Sequence, residues 1–193
     1  MKNDISREVN RLIDEANNLS TVAPDKAFAL GEKAYILSKN NNLKLEEGYS
    51  LISITLALRA KSEISKMLEY SFKALKIFET LELSKGYIRT LNIIGIAYFY
   101  NSMYDEALQY FLKTIELLDK FDNNFLLSSA LNNIGEVFRE TENYDKAIEY
   151  YYKALTLCTN NDFNTNKASL LSNLGEVYFI KNKESDYDQL GKD

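Results

Sequence analysis

The chain has 193 residues, a charged fraction of 26% and a net charge of −5, with a pI near 5.0. That acidity argues against a nucleic-acid-binding module and against an anionic membrane surface as the main partner. No histidine is present, so the commonest general base and metal ligand is missing. The single cysteine excludes an internal disulfide framework and fits a reducing cytosol.

Seven glycines and one proline, in a chain that is 46% hydrophobic, favour an all-helical fold. Met1 to Glu15 is charged throughout, unlike a signal peptide. No stretch approaches the roughly 18 apolar residues of a membrane span. The expectation is a cytoplasmic protein with no membrane contact by this segment.

Taken in order, the apolar spacing predicts a first helix over Asn3 to Leu19, with Ile5, Val9, Leu12, Ile13 and Ala16 inward. Asn3 or Asp4 is its candidate cap. A turn over Leu19 to Val22 leads to Pro24, at the start of a second helix, where a missing amide hydrogen is tolerated. That helix carries Ala27, Gly31 and Ala34 and runs to about Ser38. The polar turn Lys39 to Asn42 precedes a third helix, Lys44 to Lys61, with Tyr49, Leu51, Ile54 and Leu58 apolar. The fourth helix runs from Glu63 to Leu81.

From Leu91 the pattern sharpens. LNIIGIAYF from Leu91, LNNIGEVFR from Leu131 and LSNLGEVYF from Leu171 share one register. Gly95, Gly135 and Gly175 recur every 40 residues, as do Tyr98, Phe138 and Tyr178. The following helices repeat too, with Tyr104, Asp105 and Ala107 matching Tyr144, Asp145 and Ala147. Leu131, Ile134, Gly135 and Phe138 form one apolar face; Ala147, Tyr151, Ala154 and Leu155 form the other. A lone helical hairpin cannot bury such faces, so the unit needs neighbours. In the second repeat Thr55 stands for the glycine, Met67 for the alanine and Ser71 for the aromatic, a volume swap within one packing layer.

These boxes resemble the tetratricopeptide repeat family, whose pattern is an aromatic, Leu-Gly, Tyr, then Ala and Phe, then Pro. Here Leu131 takes the first aromatic position and the closing proline is absent. The period is 40 rather than about 34 residues. The longer period resembles the variant in kinesin light chains and bacterial peptide-sensing regulators. The resemblance implies an all-α, right-handed superhelical solenoid of about four and a half repeats. They are placed at 4–43, 44–83, 84–123, 124–163 and 164–181, with a degenerate or truncated segment over 182–193. After Lys181 the register breaks, so Ser185 to Asp193 either folds back as a short cap or marks a fragment of a longer protein. The fragment reading is favoured.

Enzymatic chemistry finds no support. Cys158 has no imidazole partner and reads as a small buried residue. Glu136 and Glu176 lie at equivalent repeat positions, expected about 9–10 Å apart on packed helices. Tyr150, Tyr151 and Tyr152 point three ways from one helix, Tyr151 inward. Lys181 to Lys183 reads as a solvated helix end. Neither cofactor nor metal is implied.

A surface is the better candidate. The resemblance places the first helix of each repeat on the concave side. Opposite the apolar face lie Asn132, Glu136 and Arg139, with equivalents Asn92, Ile96 and Phe99, then Ser172, Glu176 and Phe179, then Ile52, Leu56 and Arg59. Asn133 and Asn173 lie beside this stripe. Exposed Ile52, Ile96, Phe99 and Phe179 would mark a contact site. Asparagine amides can pair with an extended peptide backbone, and Arg59, Arg89 and Arg139 can meet carboxylates. Alternatively, the asparagines bridge neighbouring helices.

The resemblance therefore implies a non-catalytic module binding a peptide or protein, as the sensor or scaffold of a bacterial signalling protein. Asparagine- and lysine-rich composition agrees with an AT-rich bacterial genome. Two alternatives remain: a homodimer through Leu170, Leu174, Val177 and Tyr178, or a regulator of a partner enzyme.

Overall fold

The computed structural model describes residues 2–81, 85–118, 123–158 and 164–190. They form helices only: α1 (Lys2–Leu19), α2 (Pro24–Asn40), α3 (Lys44–Ala60), α4 (Ile64–Glu79), α5 (Lys85–Tyr100), α6 (Tyr104–Leu118), α7 (Asn124–Glu140), α8 (Tyr144–Thr156) and α9 (Asn164–Leu190). Residues 82–84, 119–122 and 159–163, at the expected repeat boundaries, lie outside the described residues. The chain divides into two compact units, Met1–Tyr110 and Phe111–Asp193, with the boundary inside α6.

Two expectations about ends are corrected. Helix α1 already begins at Lys2, so Asn3 and Asp4 sit inside its first turn rather than at its N-cap. Helix α9 continues without a break to Leu190, so no chain reversal falls between Lys181 and Leu190, and residues 191–193 of the expected cap lie outside the described residues. The 3.6-residue pattern fades there, yet the composition after Lys181 contains no proline or glycine before Leu190 that would stop a helix.

Within the first unit, α1 to α5 pack as antiparallel neighbours along the chain. Helix α1 also touches α3, and α3 touches α5, whereas α2 and α4 meet through long side chains, the Phe28 and Tyr70 rings with centroids 6.4 Å apart. The first helices of the hairpins therefore lie on the inner side of the curve. The core centres on Leu51, Ile54, Leu58, Met67, Ala74 and Phe78. Phe78 is held by two glycines: a Cβ on Gly48 would fall 2.6 Å from its ring, and one on Gly86 would strike the same ring.

The tight turns inside successive hairpins share a device that composition conceals. Ser62, Ser102 and Glu142 all have φ between 57° and 59°, the left-handed region, though none is glycine. After each, the amide three places past the helix end reaches back five residues: Glu63 to Leu58, Met103 to Tyr98 and Asn143 to Phe138, at 2.8–3.0 Å. This double-capped geometry satisfies the last helical carbonyls.

In the second unit α7 packs on α8 and both meet α9. Ala147, Tyr151, Ala154, Leu170, Leu174 and Val177 form its core. Gly135 gives Tyr151 its place, since a Cβ there would lie 2.6 Å from the ring Cδ1. In the first unit the equivalent pair is Thr55 and Ser71, both fully buried. Volume has moved from the second helix to the first, as the sequence pattern implies. Asn123 and Asn143 cap α7 and α8, accepting from Leu126 N at 3.0 Å and Lys146 N at 3.4 Å.

Candidate functional site

The inner faces of the two units differ in chemistry. In the second unit α7 and α9 bring together most of what the sequence pointed to. Asn173 Nδ2 donates to Asn132 Oδ1 at 3.0 Å. One turn further, Arg139 Nη2 lies 2.8 Å from both Glu136 Oε2 and Glu140 Oε1, and Nη1 lies 3.2 Å from Glu176 Oε1. The Tyr151 hydroxyl donates to the other Glu136 oxygen at 2.5 Å.

This is an ionic cluster in which Arg139 Nε alone of the guanidinium nitrogens is buried without a hydrogen-bond partner. Partial burial alone would lower the Arg139 pKa, but hydrogen bonding to Glu136 and the field of Glu136, Glu176 and Glu140 hold it above its ordinary range. Burial, and then the bond to Glu136, push the Tyr151 phenol up in the same way. Glu136 and Glu176 thus share one guanidinium.

Beside it, Ser128, Ser129, Asn132, Asn166, Ser169 and Leu170 line a small polar cleft of about 90 Å³. Asn166 Nδ2 is buried without a hydrogen-bond partner. Ser128 Oγ is engaged elsewhere, donating to Ala154 O at 3.1 Å and lying 3.3 Å from Cys158 Sγ. Cys158 is buried, as read from the sequence.

In the first unit the equivalent positions hold Arg59, Arg89, Ile96 and Phe99, all half-buried, while Asn92 is only 5% exposed. Phe99 sits 5.8 Å from the rings of both Tyr100 and Tyr104. Ile96 packs against the unit's core. Neither Arg59 nor Arg89 has a carboxylate partner among the described residues, in contrast to Arg139. Burial draws the Arg89 guanidinium below its usual pKa, and Tyr49 acts in the opposite sense.

Several expectations need correction. Ile52 is not exposed: it is 1% accessible and belongs to the core of the first unit, because α3 is wrapped by α1, α2, α4 and α5. Phe99 and Ile96 are half-buried rather than open. Phe179 alone of that group is freely exposed, at 70%; Ser172 and Glu176 on the same helix are exposed too, and Asn133 is half-buried. The surface proposed for dimerisation is also largely spent. Leu170, Leu174 and Val177 are buried against α8, leaving Leu171, Tyr178 and Phe179 outward on α9. Sequence reasoning missed Glu140 and the Tyr151 hydroxyl as members of the Arg139 cluster. The i, i+3 spacing of Glu136 and Arg139 was the available signal.

Among the described residues no three metal-ligating side chains gather, and no helix is long and apolar enough to cross a membrane.

Comparison with known proteins follows the same lines. The tetratricopeptide repeat family model matches residues 126–186. No curated protein sequence matches the chain. A candidate kinesin light chain from Podosopora anserina, with nearly identical TPR-like repeats, shares 12% identity with a TM-score of 0.70, over 97% of this chain and 93% of that one. The apo form of RapI shares 18% identity and a TM-score of 0.72, over 96% of this chain and 54% of its own. A Rap protein complexed with Competence and Sporulation Factor shares 15% identity and a TM-score of 0.78, over 97% and 56%. The chain therefore spans about half the length of the Rap structures. In fold the chain is a tetratricopeptide-repeat solenoid, all-α throughout the described residues, and residues 126–186 carry the family's sequence signature.

Proposed function

We propose that the chain is a non-catalytic module that binds a peptide or protein segment along the inner face of the odd-numbered helices within a unit, α7 and α9 foremost. The observation that carries this is the asparagine pair on α7 and α9. Asn173 donates to Asn132, which leaves the Asn132 amide group and the Asn173 carbonyl oxygen uncommitted. One donor group and one acceptor side by side match what an extended backbone requires, whatever its side chains. The groove residues are Asn132, Asn133, Asn173, Arg139, Glu136, Glu176, Ser172 and Phe179 in the second unit, with Arg59, Arg89, Asn92, Ile96 and Phe99 in the first. A Rap protein of the same fold holds Competence and Sporulation Factor, which supports a sensor or scaffold role in a bacterial signalling protein.

Calorimetry tests the reading. A peptide retained by the wild-type chain should lose all measurable binding in Asn132→Ala/Asn173→Ala, with helicity by circular dichroism unchanged. Unaltered affinity in that variant refutes the groove. A second reading, self-association, rests on the outward Leu171, Tyr178 and Phe179 of α9. Light scattering that shows a monomer at high concentration would remove it.

A further inference from the structure

The face of α7 that α8 covers is repeated on α9 and stands open there. On α7, Leu131 and Phe138 pack half-buried against the core of the second unit, and the Tyr151 ring fills the space that a Cβ on Gly135 would take. Forty residues on, Leu171, Gly175 and Tyr178 hold the same positions. Among the described residues no second helix lies over them. Leu171 is 51% exposed, Tyr178 is 43% exposed, and nothing stands within 4 Å of a Cβ on Gly175. Phe179 is 70% exposed and lies one helical turn past Gly175, on the same side of α9. Gly175 is a seat without a ring, and Phe179 is a ring without a seat.

We propose that this face pairs with the same face of a second copy of the chain, the two α9 helices antiparallel, so that Phe179 of each rests on Gly175 of the other. This rests on the self-association reading above and names its geometry. In a two-fold contact, if residue i meets residue j, then j meets i. A dyad level with Val177 sets position 175 opposite 179 in both directions, so one pairing fills both seats. The direction is also that of α8 on α7, whose hairpin makes them antiparallel. Charge permits the contact. Between Ala168 and Asn182 the helix carries two charged side chains, Glu176 and Lys181, already paired with Arg139 and Asp145 of their own copy. Like charges are therefore not forced together across the dyad. Leu171, Tyr178 and Phe179 leave roughly 350 Å² of side-chain surface in water per copy. With Ala168, Ser172 and Asn182 from the same stripe, the pair buries on the order of 1,000 Å² in total, the low end of specific interfaces. A dissociation constant of about 10–100 μM follows, so the dilute chain is monomeric.

Sedimentation equilibrium well below and well above that constant tests the proposal. The wild-type chain should pass from monomer to dimer. Phe179→Ser should weaken the dimer about tenfold or more. Gly175→Leu fills the seat, for which the monomer has room, and should abolish the dimer while circular dichroism stays helical. Orientation is read by mixing Ser172→Cys and Asn182→Cys chains and oxidising them at high concentration; the native Cys158 is buried. Positions 172 and 182 are opposite each other about the dyad, so the mixed disulfide should form. Like positions stand ten residues apart, about 15 Å, too far for a disulfide. Homodisulfides in excess, or a dimer indifferent to both Gly175→Leu and Phe179→Ser, would overturn this pairing and leave self-association standing. A chain monomeric at every concentration would overturn both. A monomer that captures a synthetic copy of residues 143–157, the α8 segment, would give the open face to a foreign helix of that chemistry and would equally overturn the dimer.

Discussion

Gly135 and Gly175 occupy the same position in successive repeats, yet alanine should act on them with opposite sign. Gly175 sits on an exposed face of α9 with nothing within 4 Å of a Cβ. There, alanine only restricts the unfolded chain and improves helix propensity, which stabilises by about 0.5–1 kcal/mol. At Gly135 the same gain is set against the Tyr151 ring, 2.6 Å from the new Cβ at Cδ1. The ring cannot retreat: Tyr151 is fully buried and its hydroxyl is held by Glu136 at 2.5 Å. Overpacking of this kind costs about 1–3 kcal/mol, so the net effect is a loss of about 1–2 kcal/mol. Thermal unfolding by circular dichroism reads both, at about 2–4 °C per kcal/mol for a chain of this length. Gly175→Ala should raise the midpoint and Gly135→Ala should lower it. In a Tyr151→Leu background the Gly135→Ala penalty should shrink or vanish, because the two residues are coupled by contact. A midpoint shift of the same sign at both glycines would refute the packing argument.

Tyr151→Phe removes a hydrogen bond to a carboxylate and should cost about 1–2 kcal/mol at neutral pH, measured by urea titration. The native phenol ionises above its ordinary range, while an unfolded tyrosine ionises near pH ~10. The unfolded chain therefore sheds a proton first, and wild-type stability should fall as pH rises past ~10; the phenylalanine variant should show less of that fall. Glu142→Gly relieves a left-handed residue and should stabilise the α7–α8 turn by about 0.5–1 kcal/mol, with Ser102→Gly behaving alike in the preceding hairpin. No gain in unfolding midpoint at either turn would count against that account.

The repeat was legible because it is local. An aliphatic, a glycine and an aromatic at fixed offsets, with an alanine and an aromatic in the next helix, state a close-packed hairpin in residue spacing alone. The positions of the buried residues Ile134, Gly135, Ala147, Tyr151 and Ala154 follow directly from a 3.6-residue period. The exchange of Thr55 and Ser71 for a glycine and an aromatic was readable for the same reason, since volumes within one layer must balance.

The site was only half legible. Periodicity says which side of its own helix a residue occupies, but not what lies opposite. Ile52 points away from the first apolar stripe and is still buried, because α1 and α5 close over α3 from both sides. Arg59, Arg89 and Arg139 look alike in sequence, yet only the third meets Glu136, Glu140 and Glu176. That meeting needs α7 and α9 at contact distance, a fact of the stack rather than of either helix. The left-handed turns at Ser62, Ser102 and Glu142 gave no glycine to announce them; helix geometry on both sides imposes them. The amino-acid order thus determined the hairpins, their interval and their cores. Tertiary packing decided which polar groups were paired inside the protein and which stayed at its surface, because pairing across helices depends on distances that no single helix contains.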